Sequence, residues 1–404
     1  MPDFYPFHAQ IPTAEAMALK GTEKVSTYME LVQKVQQPLS HVLSNDPNYR
    51  KEIQHKAKEG LDEIIGRFLW DTCSEEPSYV LYQSSYRGMV QTGIIGLCDA
   101  TQIGNQILPH EQIRQDRAAT IADWSQSMNL QWTPIFLSYR HNQALHALQS
   151  SVIKNTCDYH YTLANHTQVS LWCISEENQK EAFRNAIAEI PYLYIADGHH
   201  RAAACRGLSP INNESTRYPG HLMLSVLMAD RDLKIYPFYR RIRNDQAPIP
   251  FWEILDKLKM IFRLKPCSLE QMFYQYLPAR HFLLVHKEAC WLLQPQHRTT
   301  NNQNPRYIPD VQWLQENVLG PICGIIDPTS DPRIDFGSMN LTLENFRAIL
   351  QEAATEFILI PRAPSSEDVF RTADNREFMP PKSTSFEPKI PSGLVVFHNQ
   401  INSL

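Results

Sequence analysis

Between Tyr192 and Gly207 the chain reads YLYIADGHHRAAACRG, and no other stretch limits the fold so tightly. An apolar run stops at Asp197-Gly198, and an alanine-rich segment follows that closes on Gly207. The pattern predicts a short buried strand running straight into a helix that opens near His199. Such a junction leaves the first helical N–H groups without intrahelical partners and facing one point, which attracts anions. His199, His200 and Arg201 add side-chain donors at that point, and arginine can grip two oxygens of a phosphate or carboxylate at once. Asp197 stays open among three roles: capping the helix, binding a divalent metal that bridges phosphate oxygens, or orienting a histidine. A purely structural reading, with Asp197 as N-cap and the histidines satisfied locally, stands beside the phosphate reading. A zinc reading is weaker, because two adjacent histidines rarely converge on one ion without further ligands in register.

The rest of the chain predicts an α/β fold of mixed α+β type. Residues Thr13 to Phe68 carry apolar side chains at helical spacing among many charges. YVLYQSSYRGMVQTGIIGLCDA then reads as two strands joined at Arg87-Gly88. TPIFLSYR reads as a strand, ALHALQSSVI as a helix, HYTLANHTQVSLWCI as a hairpin and NQKEAFRNAIAEI as a helix. INNESTRYPG and QHRTTNNQNPRY are polar loops. A soft boundary near residue 245 divides the chain into 1–245, a phosphate-binding core behind a helical N-terminal segment, and 246–404, an α+β region. The last roughly 25 residues, proline-bracketed, are expected to return to the site.

Charge and cysteine usage narrow the function. With 38 basic against 43 acidic residues and a net charge of -5, the chain lacks the basic stripe that nucleic-acid affinity needs; its densest basic run is YRRIR, Tyr239 to Arg243. No 18-residue apolar stretch and no signal-peptide pattern occurs, so no membrane partner and a cytoplasmic location are expected. The 8 cysteines are scattered without C-x-x-C, which argues for reduced, mostly buried thiols over zinc or a disulfide framework. The common phosphate-loop, hydrolase-elbow and dinucleotide fingerprints are all missing.

Three further groups carry possible chemistry. In LPHEQIRQDR, His110 and Glu111 sit where a helix-like segment begins; Glu111 could serve as a general base, or simply favour a helix dipole. DPRIDFG brings Asp331, Arg333 and Asp335 together. MPPKSTSFEPKIPSG carries Lys382, Ser383, Thr384, Lys389 and Ser392, a rigid loop able to hold phosphate or carboxylate oxygens, or to pack over a core.

Taken in order, YPFHA, QTGIIGL, PHEQ, PIFLSYR, YIADGHHRAAA, LKIYPFYR, VLGPICGI, DPRIDF and PPKSTSFEPKIPSGLVV resemble a bacterial and archaeal family long labelled a domain of unknown function. The resemblance covers nearly the whole chain. It implies a core similar to the ParB/sulfiredoxin-type fold and an activity related to free L-serine kinases, which make O-phosphoserine from a nucleotide or pyrophosphate. On that resemblance Glu111 is the base, and Asp197 and His200 are catalytic, with Asp197 as the metal ligand. His199, Arg201, His110, Lys382, Ser383 and Thr384 hold phosphate. Mg²⁺ with ATP, ADP or pyrophosphate would be the cofactors, and L-serine or a similar hydroxylated metabolite the substrate. A ParB-like nucleotide-binding regulatory protein without catalysis is the alternative.

Overall fold

Strands buried along most of their length, with short helices between them, build two α+β units. The computed structural model describes residues 1–18, 28–30, 32, 33, 35, 47–67, 70–86, 88–128, 130–208, 218–245, 250–287, 289–296 and 307–398. Much of the helical segment expected before Phe68, and residues 211–217 and 297–306 of the two polar loops, lie outside them. The first unit comprises residues 1–109, 113–233 and 388–404, and the second 110–112 with 234–387.

The first unit is built on a nine-stranded mixed sheet. Its path runs Ile107–Leu108, Leu193–Asp197, Ile135–Tyr139, Leu222–Ala229, Met89–Asp99, Tyr79–Tyr86, Gln168–Ile174 and Tyr159–Thr162, with Phe4–Tyr5 added beside Met89–Asp99. Leu222–Ala229 is buried at every position, and it runs parallel to Ile135–Tyr139 and antiparallel to Met89–Asp99. A strand walled on both faces reads as a continuous apolar run. Helices Gln143–Ile153, Glu177–Ala188 and His199–Gly207 add Leu145, Phe183, Ile187 and Ala202 to the same core. Asn142 caps the first of these, its side chain accepting from the Leu145 amide at 2.9 Å. Gly88, at φ +79°, lies between strands Tyr79–Tyr86 and Met89–Asp99, while Arg87 of the expected turn lies outside the described residues.

Cysteine chemistry departs from expectation. Cys73 and Cys173 form a disulfide across a sequence separation of 100, although the scattered spacing argued against any bridge. Spacing carries no information on a pair that meets only when a loop and a sheet strand are assembled. Cys98, Cys157, Cys205, Cys267, Cys290 and Cys323 are free, four of them buried. Among the described residues no helix is long and apolar enough to cross a membrane.

The second unit is organised by a six-stranded antiparallel sheet, ordered Phe262–Pro266, Ala289–Pro295, Phe282–His286, Thr355–Pro361, Phe238–Arg243 and Ile334–Ser338. Alternate residues feed two cores: Phe282 and Leu284 join one cluster with Phe357 and Leu359, while Leu283 and Val285 join the other with Ile358 and Ile360. The basic run at Tyr239 to Arg243 lies in this sheet and is matched by acids. Arg241 pairs with Asp335 and Glu352, and Arg243 with Asp245 and Asp335. Arg333 likewise closes on Asp331 at 2.6 Å, and with Asp335 held by Arg241 and Arg243 every charge of DPRIDFG is matched.

Candidate functional site

Strand Leu193–Asp197 ends in a local irregularity: its pairing with Ile135–Tyr139 shifts between Ile195 and Asp197, bringing Asp197 opposite Phe136. Gly198 then turns the chain at φ +95° and ψ 26°, a left-handed conformation that side chains rarely adopt. A Cβ there would lie 2.9 Å from Arg201 Nη2 and 3.2 Å from Ile135 Cδ1. Helix His199–Gly207 follows at once, as the sequence predicts, and glycine as its N-cap supplies no capping side chain. Asp197 is therefore not the cap.

Its carboxylate takes two cations instead. Oδ2 accepts from Arg201 Nη2 at 2.9 Å, and Oδ1 accepts from Lys389 Nζ at 2.9 Å. Burial pushes the Asp197 carboxyl up, but Arg201 and Lys389 outweigh it and hold the group below its ordinary value of 3.8. Arg201 is anchored further, Nη1 donating to the carbonyls of Thr133 at 2.6 Å and Pro134 at 3.2 Å. Ser392 and Thr133 join through their hydroxyls at 2.8 Å. A cavity of about 300 Å³ opens here, lined by Asp197, Arg201, Lys389, Thr133 and Ser392 with the apolar Phe136, Val226 and Ile390.

His199 is 5% exposed and belongs to the buried side of the helix. His200 Nε2 accepts from the Arg114 amide at 3.1 Å. A backbone N–H only donates, so in this arrangement His200 is neutral, with its proton on Nδ1. Helix Gln115–Met128 begins just beyond that contact, so Glu111 lies ahead of the helix rather than in its first turn.

The remaining expected residues fall in the second unit. His110 is buried, its Nε2 3.1 Å from Thr384 Oγ1 and its ring beside Phe386. Glu111 forms an isolated parallel bridge with Met379. Ser383, also buried, donates to the Pro380 carbonyl at 2.6 Å. Lys382, at φ +57°, carries its ammonium over the Phe238 ring. The second unit thus brings His110 and Thr384 together, and the first gathers Asp197 and Arg201 with Lys389, a lysine that the sequence places with Lys382 in one anion-holding loop without setting it apart. PPKSTSFEPKIPSG offers both lysines, and only the fold tells them apart.

Asp197 does not suit a metal. Both carboxylate oxygens already face cations, so a divalent ion would be set against two positive groups. Among the described residues no three His, Cys, Asp or Glu side chains converge as a metal cluster would require.

The family described as a protein of unknown function (DUF1015) matches residues 26–313. The chain belongs to that family. No curated protein matches it. As a DUF1015 member it is similar in structure to a free serine kinase in complex with AMP, at 16% identity and a TM-score of 0.38, over 74% of this chain and 89% of that one. A conserved hypothetical protein from Pyrococcus furiosus gives 16% identity and 0.36, over 73% and 92%. C-terminally truncated SbnI from Staphylococcus aureus gives 9% and 0.38, over 74% and 85%.

Proposed function

We propose that the chain is a small-molecule phosphotransferase that passes a phosphoryl group from ATP, ADP or pyrophosphate to the hydroxyl of a small metabolite. Free L-serine is the first candidate acceptor, giving O-phospho-L-serine. The observation that carries the reading is the cavity of about 300 Å³ at the strand-to-helix turn, where, among the described residues that line it, Arg201 and Lys389 stand against the one carboxylate of Asp197. Two cations against one anion, beside a helix N-terminus, favour a ligand carrying negative charge. Phosphoryl transfer asks little more of a protein than positioning and charge neutralisation, so such a cavity suits it. In the step, the donor's terminal P–O bond breaks, a P–O bond forms to the acceptor oxygen, and the hydroxyl proton passes to a base. The roles of Glu111 as that base and of Lys382 as an assisting cation rest on the sequence resemblance. Mg²⁺ in this reading travels with the donor phosphates and takes no ligand from Asp197.

A second reading, a nucleotide-binding regulator that does no chemistry, needs the cavity and its cations but no base, and Asp197, the carboxylate lining the cavity, is held below its ordinary range by two cations and is a poor proton acceptor. Phosphorus NMR of the full chain with Mg²⁺, L-serine and, separately, ATP, ADP or pyrophosphate decides between them. A new phosphomonoester signal that vanishes in Glu111→Gln is expected; donor signals that broaden without product would transfer the conclusion to the regulator.

A further inference from the structure

We infer that Lys389 is the residue that grips the anionic group of the ligand in this cavity, with Asp197 as its counter-ion and Arg201 as a positioning residue. The inference rests on the phosphate-handling reading above and assigns its atoms. Arg201 and Lys389 both meet Asp197, yet they are held differently. Arg201 is 28% exposed and spends its guanidinium on one carboxylate oxygen and two backbone carbonyls. Turning it to a ligand would strip partners from acceptors beside the core, a costly exchange. Lys389 is 53% exposed, lines the cavity and carries a compact ammonium on a flexible stem, so it can turn from Asp197 to a ligand oxygen at little cost.

The backbone beneath Lys389 is fixed. Ser392 bonds Thr133 through its hydroxyl, the Gly393 amide donates to the Trp132 carbonyl at 2.7 Å, and Tyr28 donates to the Gly393 carbonyl at 2.8 Å. Phe397–His398 then pairs with Leu130–Gln131 as a short antiparallel ladder. A flexible cation on a pinned backbone is a means of gripping an anion without ordering a loop. The cavity lies at the small end of ligand-pocket sizes, which fits a phosphate or pyrophosphate group on a metabolite-sized molecule.

The sign of the Asp197 effect separates this assignment from a metal-binding one. A counter-ion repels an incoming anion, so removing its charge tightens anion binding; a metal ligand, once removed, weakens it. The test is calorimetric titration of the full chain with inorganic pyrophosphate, in EDTA and again in MgCl₂. Lys389→Met should weaken binding roughly tenfold to a hundredfold, the loss of one charge-assisted contact, with a melting temperature close to that of the unaltered chain. Lys154→Met, on an exposed helix end, should change nothing. Asp197→Asn should tighten binding several-fold in EDTA. Equal affinity in Lys389→Met overturns the lysine assignment even if Asp197→Asn fails to fold, and weaker binding by a folded Asp197→Asn overturns the counter-ion role. No binding by the unaltered chain in either buffer overturns the phosphate reading itself, and the inference with it.

Discussion

Replacing Gly198 by alanine strikes the turn from which the whole site is hung. At φ +95° an L-residue lies beyond the centre of the left-handed region, at a cost of about 1–2 kcal/mol before any contact is counted. The added Cβ would stand 2.9 Å from Arg201 Nη2, closer than real contacts come, and a tight 3.2 Å from its Cζ. The guanidinium can swing away, but doing so breaks its bonds to Asp197, Thr133 and Pro134. Together these give about 2–4 kcal/mol, or a fall of roughly 5–15 °C in the first unit's melting temperature. Pyrophosphate affinity should fall with it, because the turn that sets the start of helix His199–Gly207 beside the cavity would be displaced. Scanning calorimetry of the Gly198→Ala, Arg201→Ala and double variants separates the two contributions. Once Arg201 is truncated its clash is gone, so the glycine change should then cost little more than the backbone share of about 1–2 kcal/mol. A Gly198→Ala chain melting within about 1 °C of the unaltered one and binding pyrophosphate equally would refute the reasoning.

Other consequences are as direct. The Cys73–Cys173 bridge closes a 100-residue separation, so Cys73→Ser should lower stability by about 2–5 kcal/mol, and dithiothreitol should lower the melting temperature of the unaltered chain but not of that variant. Two free thiols at these positions by mass spectrometry would contradict it. Burial lowers the His398 pKa from its ordinary 6.5, so the unfolded chain takes up that proton first; the contribution is full above pH 6.5, is lost as pH falls toward the folded value, and levels off below it. His398→Gln should flatten this part of the stability-versus-pH curve, and an unchanged slope would count against the assignment. A chain stopped at Glu387 loses the fully buried Leu394, Val395, Val396 and Phe397, roughly 6–12 kcal/mol of apolar burial, comparable to a whole domain's stability. It should fail to fold its first unit, as limited proteolysis would show, whereas Lys389→Met should stay protected.

What the sequence made legible was local. The strand-to-helix turn at Asp197-Gly198 could be read because an apolar run, a glycine and an alanine-rich segment each fix a backbone state within a few residues. The hairpin Tyr159–Thr162 with Gln168–Ile174 and the helix Glu177–Ala188 were legible for the same reason. What escaped depends on pairings that no window contains. Lys389 reaches Asp197 across 192 residues, and nothing in PPKSTSFEPKIPSG marks that lysine above Lys382, because both are basic residues bracketed by prolines. Strand pairing makes the difference: Phe397–His398 lies against Leu130–Gln131, so Ser392 comes to Thr133 and Lys389 to the cavity, while Lys382 lies over Phe238 in the second unit. The partners of Asp197 escaped for the same reason. Read locally, an acid before a helix is a cap, a metal ligand or the orienter of a histidine, and only the fold brings Arg201 and Lys389 to its two oxygens. The phosphate chemistry was therefore suggested by residues that share a turn, while the atoms assigned to it come from residues that share only a place in the fold.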